Sequence, residues 1–141
     1  MDKNLFGELV DTNLIGEEDL IGPKAKVDFN IFAFTDAIGA RKKRDAWVLY
    51  QKAIAAGMDP EKEIFWRLVW QIKTMLLASK TKSASEADMK PFPYNKAKGF
   101  LKNFSTSELA NLSESLVLGY HAARRGEGEI ETLVEKTLLK L

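Results

Sequence analysis

The chain contains no cysteine. Disulfides, thiol nucleophiles and cysteine-rich zinc sites are therefore excluded, and a reducing, cytoplasmic setting fits. There is no excess of either charge: 21 Lys and Arg stand against 20 Asp and Glu, a formal net charge of +1. No global field draws the chain to nucleic acid or to anionic lipid, so such binding would need a local patch. Long apolar runs are also missing. Every hydrophobic stretch is broken by charges, so nothing is expected to span a membrane. The opening Met1-Asp2-Lys3-Asn4 has no basic-then-apolar leader pattern. Histidine is nearly absent, with His121 alone.

What remains suits a single globular domain. A chain of 141 residues buries roughly two-thirds of its unfolded surface and needs no metal or disulfide staple. Eight Phe, three Trp and three Tyr supply bulky core material and argue against disorder.

Helical periodicity runs through most of the sequence, and no convincing strand alternation interrupts it. Residues 3–10 and the segment headed by Glu17, Glu18 and Asp19 read as short helices before the break at Gly22-Pro23. Helices are then predicted over 29–39, with Ile31, Phe34 and Ile38 on one face and Phe32 beside them, and over 41–56, ended by Gly57. Asp59 and Pro60 look like an N-cap and first helical residue. The helix they open, 60–80, is apolar around most of its circumference, which predicts a central spine. Its only mild strip is Arg67, Gln71, Thr74 and Ala78. Residues 81–90 read as a flexible connection. Pro91 starts the next helix, with Tyr94, Ala97, Phe100 and Leu101 inward. Ser105 and Glu108 have capping-box spacing, flanked by Phe104 and Leu109 as a hydrophobic staple. That helix ends near Arg125. After Gly126 and Gly128 a last helix carries Ile130, Leu133, Val134, Leu138 and Leu141 on one side. The fold class is all-α, a compact helical bundle.

Motifs for chemistry are hard to find. There is no G-x-x-x-x-G-K-[ST] loop for phosphates and no serine in a nucleophile elbow. His121 lies beside Tyr120 on an amphipathic helix, in no metal-ligand spacing. The carboxylate groups Glu17/Glu18/Asp19, Glu61/Glu63 and Glu127/Glu129/Glu131 stand at helix starts, where the dipole accounts for them. No catalytic, cofactor or metal residue is assigned, and no small-molecule substrate is expected. The densest basic run is Arg41, Lys42, Lys43 and Arg44. It is unusual near a helix start, and it is a candidate contact for DNA or an acidic partner, with Lys98 and Lys102 on a second helix face adding to it. Trp47, Trp66 and Trp70 are core by default. Trp66 and Trp70, one turn apart, become interface candidates wherever they prove exposed.

Several segments together resemble the C-terminal part of the delta subunit of the bacterial DNA polymerase III clamp loader. They are Asn30-Ile31-Phe32 with Asp36-Ala37-Ile38; a basic turn and a helix ending at Gly57 before Asp59-Pro60; Gln71-Ile72-Lys73-Thr74-Met75-Leu76-Leu77 with Lys80; Lys90-Pro91-Phe92 with Lys96, leading to Phe104-Ser105 and Glu108-Leu109; and Arg124-Arg125-Gly126 leading to Leu133-Val134-Glu135-Lys136 and Leu138-Leu139-Lys140-Leu141. The resemblance implies a helical collar domain over 28–141, preceded over 1–27 by the tail of a lid-like helical segment. It also implies a part in DNA replication as an assembly piece without catalysis of its own. The implied partners are delta-prime and the motor subunits, with any DNA contact indirect. The family often has an acidic residue one turn before the basic–Gly turn; here that position is Tyr120, which joins Trp66 and Trp70 as an interface candidate. Two rivals follow from the residues alone: a salt-dependent DNA-binding domain using the run at 41–44, and a small enzyme built on Glu61, Glu63 and His121.

Overall fold

The computed structural model describes residues 29–141. The short helices and lid-like tail expected before residue 28 lie outside the described residues. Within them there are seven α-helices and no strand, so the all-α bundle is what the chain forms.

Local chemistry sets each helix boundary. Helix α1 (Ile31–Gly39) starts where Asn30 Oδ1 accepts from the Phe32 and Ala33 amides at 3.0 and 3.1 Å. Helix α2 (Lys43–Ala55) ends at Gly57, whose φ of +89° is cheap only for glycine. Asp59 then caps a single π-helical opening, Pro60–Phe65, which runs without a break into α3 (Trp66–Ser79). The expected flexible connection contains a helix instead. Ser83 Oγ accepts from the Glu86 amide, and Glu86 Oε1 accepts from the Lys82 amide, fixing the one-turn helix α4 (Ala84–Ala87). Helix α5 (Pro91–Phe100) passes into a 3₁₀ turn, Leu101–Asn103. The capping box at Ser105 and Glu108 forms as its spacing implies and opens α6 (Thr106–Arg124). Gly126, at φ +80°, turns the chain toward α7 (Ile130–Leu139).

Helix α3 is the hub, with α1, α5 and α6 packed around it and α4 against its far end. Helix α7 closes the bundle against α6, α2 and the π-helical opening. Ile64, Phe65, Leu68, Ile72 and Met75 are all buried. Each such side chain contributes roughly 1.5–3 kcal/mol, more than any single cap at ~1 kcal/mol. Burial on α3 therefore decides the fold, and the caps fix its register.

Of the mild strip, Gln71, Thr74 and Ala78 are buried and only Arg67 is exposed. The outward side carries Trp66, Trp70, Lys73 and Leu77.

Tyr50 is fully buried with no hydrogen-bond partner for its hydroxyl. Burial raises its pKa, and the negative charges of Glu131 and Glu135 push in the same direction.

Two helical glycines separate packing from propensity. A Cβ on Gly39 would lie 2.3–2.6 Å from the Phe100 ring, whereas one on Gly99 meets nothing within 4 Å. Gly99→Ala should therefore raise stability by about 0.5–1 kcal/mol. Gly39→Ala should lower it by about 1–3 kcal/mol, because overpacking outweighs propensity. Urea denaturation of the two variants checks this, and equal effects would refute the close approach.

Candidate functional site

The first feature is an aromatic face where the start of α3 meets the last turns of α6. Trp66 and Trp70 are each 47% exposed, and Leu77 extends the strip two turns further. The default reading of both indoles as core is corrected. Trp47 is only partly buried, packed against the core with its ring 6.3 Å from that of Tyr50. Tyr120 joins the face: its ring stacks on buried Phe65 at 5.7 Å and meets Trp66 edge-on at 5.1 Å. Arg124 lies over the Tyr120 ring at 5.9 Å and reaches Glu61 at 3.6 Å. Trp66 and Tyr120 therefore form one aromatic cluster resting on Phe65, with a charged rim beside it, and Trp70 stands exposed one turn along α3 from Trp66.

The second feature is the basic run, which divides. Arg41 is not a free cation. Its guanidinium binds Glu108 bidentately at 3.1 and 2.9 Å, donates to the Asn103 carbonyl at 2.8 Å and stacks on Phe104 at 4.6 Å. Asn103 answers with its side-chain amide on the Gly39 carbonyl at 3.0 Å. The turn after α1 is thus latched to the junction of α5 and α6. The latch holds Arg41 in a left-handed conformation, φ +59°, at the position that Gly57 and Gly126 occupy in the other turns. The Lys42 amide closes that turn on the Ala37 carbonyl, and the Arg41 amide on the Ile38 carbonyl. Lys42, Lys43 and Arg44 remain exposed. Lys98 lies in the last turn of α5 and Lys102, exposed, in the 3₁₀ turn that continues it. Lys98 is occupied: its ammonium donates to the Thr81 carbonyl at 2.7 Å and lies 5.7 Å from the Tyr94 ring. Of the six basic residues, Arg41 and Lys98 are engaged with their own fold, and Lys42, Lys43, Arg44 and Lys102 are exposed.

The third feature was not anticipated. A groove of about 470 Å³ opens between α1, α3 and α5. Phe32 and Phe92, 67% and 76% exposed, stand on its rim with Trp70, and Gln71, Thr74 and Thr35 form its lining below. The sequence held a faint signal, since Phe32 sits beside the inward stripe of α1 and Phe92 stands between two prolines.

Acid–base chemistry finds no assembled site. His121 is exposed with its ring against Tyr120, and Glu61 is turned toward Arg124. Among the described residues no three His, Asp or Glu side chains come together to hold a metal. No described helix is long and apolar enough to cross a membrane.

A family model, the C-terminal domain of the DNA polymerase III delta subunit, matches residues 28–141. The chain belongs to that family. That family is a non-catalytic clamp-loader component, which gives the chain a role in DNA replication. No curated protein and no solved structure matches the chain significantly. Within this family setting Tyr120 is informative. Where the resemblance suggested an acidic residue, a ring completes the aromatic face, and the acidic partner for Arg124 is Glu61 on the π-helical opening.

The latch should be visible in a pH titration. The Arg41 side-chain hydrogen bonds, followed by that from the Ser105 amide, lower the Glu108 pKa from 4.5 to about 2. A carboxylate with a depressed folded pKa contributes stability above its unfolded value, and that contribution fades as pH falls through the folded one. Glu108→Gln should therefore be less stable than the parent at pH 7, and the gap should narrow between pH 4.5 and about 2. Urea midpoints at a series of pH values test this; a gap independent of pH would mean that the pair contributes nothing through charge.

Proposed function

We propose that this domain is a collar-type assembly surface of the DNA polymerase III clamp loader. It joins delta-prime and the motor subunits and turns over no substrate. The observation that carries the proposal is the face made by Trp66, Trp70 and Tyr120. Two half-exposed indoles on the outward side of the most buried helix are costly to leave in water. Aromatic anchors of this kind dominate interface energetics. The Trp66 and Tyr120 rings rest on buried Phe65, so little ordering of these two remains to be done on binding. An assembly role in a cytoplasmic replication complex also fits a chain whose charges nearly cancel.

Light scattering on a sizing column tests this reading, with the chain alone and then mixed with delta-prime and motor subunits from the same source. The parent chain should co-elute with them. Trp66→Ala with Trp70→Ala should weaken the complex by at least ~30-fold while helical circular dichroism is retained. A chain that stays separate at micromolar concentration, or a pure chain that hydrolyses ATP, would overturn the proposal.

A second reading rests on the exposure of Lys42, Lys43 and Arg44. On that reading the domain binds DNA electrostatically, with an affinity that falls steeply as salt rises. Replacing the three by Ser should then abolish binding. Binding that survives the replacement would remove these residues from the role.

A further inference from the structure

The sequence of α3, Trp66–Ser79, contains no Asp or Glu. Its two charges are Arg67 and Lys73, and both are exposed. Neither lies in the last turn, where the helix dipole would favour a cation. They stand instead beside the exposed apolar side chains. Arg67 precedes Trp70 by three residues, and the two line the same groove. Lys73 follows Trp70 by three and precedes Leu77 by four. These are the spacings of neighbours on a helix surface. The outward side of the spine therefore combines apolar area with positive charge and carries no negative charge of its own.

That charge discriminates among occupants. A second copy docked by the same face would set Arg67 and Lys73 against their own counterparts, a costly like-charge contact. A partner with carboxylates at those points gains both from covering the indoles and from the pairing. Length selects the shape of the element. Trp66 and Leu77 lie roughly 16 Å apart along the helix axis, in steps of about one turn that a second helix laid alongside can match. Helices α1, α5 and α6 already pack on α3 in this manner.

We infer that the element docking on this face is an acidic amphipathic helix of a partner subunit. Its apolar side chains meet Trp66, Trp70 and Leu77, and the Asp or Glu side chains that flank them pair with Arg67 and Lys73. The inference rests on the assembly reading and deepens it, by stating the chemistry of the partner's contact element.

The test uses the full chain in its complex with delta-prime and the motor subunits. Arg67→Glu with Lys73→Glu should weaken that complex at least ~10-fold. Both side chains are exposed, so helical circular dichroism and the urea midpoint should be kept. Lys73→Arg, which retains the charge, should leave the affinity unchanged. The parent complex should weaken as salt rises, and the double reversal should remove most of that dependence. As a second readout, carbodiimide joins an amine to a carboxylate in contact with it. Peptide mass spectrometry should find Lys73 linked to an Asp or Glu of a partner subunit. Suppose the complex forms and is lost with Trp66→Ala and Trp70→Ala. Indifference to the charge reversal, or no link from Lys73, then overturns this inference while the assembly reading stands. A chain that forms no complex overturns both. Single-stranded oligonucleotide that displaces the partner subunits, and is itself released by the double reversal, would give the face to nucleic acid and overturn the inference.

Discussion

Everything in this bundle depends on surrounding one helix. Helix α3 buries Leu68, Ile72 and Met75 completely, and it can do so only because α1, α5 and α6 reach it from different sides. The indoles of Trp66 and Trp70 are left half-exposed at the edges of this packing: Trp66 meets Tyr120 of α6, and Trp70 stands on the rim of the groove between α1, α3 and α5.

The second constraint is the Arg41 latch. A non-glycine residue in the left-handed region costs roughly 1–2 kcal/mol, and glycine fills the equivalent position after α2 and α6. Here the side chain does what glycine could not, reaching Glu108, Asn103 and Phe104 at once. Glu108 serves two elements. It closes the capping box of α6 through the Ser105 amide and holds the turn after α1 through Arg41. One carboxylate thereby sets both the start of a helix and its position against another part of the chain.

The contrast between these features explains how much the sequence disclosed. Boundaries governed by neighbours in sequence were legible: the Asp59 cap, the Gly57 stop and the Ser105–Glu108 box all form as their spacing implies. The helix at 84–87 was also legible in principle, since Ser83 and Glu86 have the same box spacing, but the polar run around them concealed it. The Arg41–Glu108 pair joins positions 67 residues apart, and no local pattern points to it. The run 41–44 therefore looked like four equivalent cations when one is structural. Likewise, a helix apolar all round cannot announce which side stays uncovered. Assigning the family needed none of this, because it rests on the order of motifs along the whole of 28–141.

The stacking of Tyr120 on Phe65 has a consequence for how the protein is made. Phe65 belongs to the opening of the spine, yet the ring that covers it is supplied 55 residues later, and Val134 and Leu138 of the core come later still. During synthesis the spine leaves the ribosome bare along the sides that α6 and α7 will cover. At translation speeds of roughly 5–20 residues per second, that interval lasts several seconds. Until α6 and α7 emerge, the apolar sides of the central helix stay exposed, which is the condition that favours aggregation of a nascent chain.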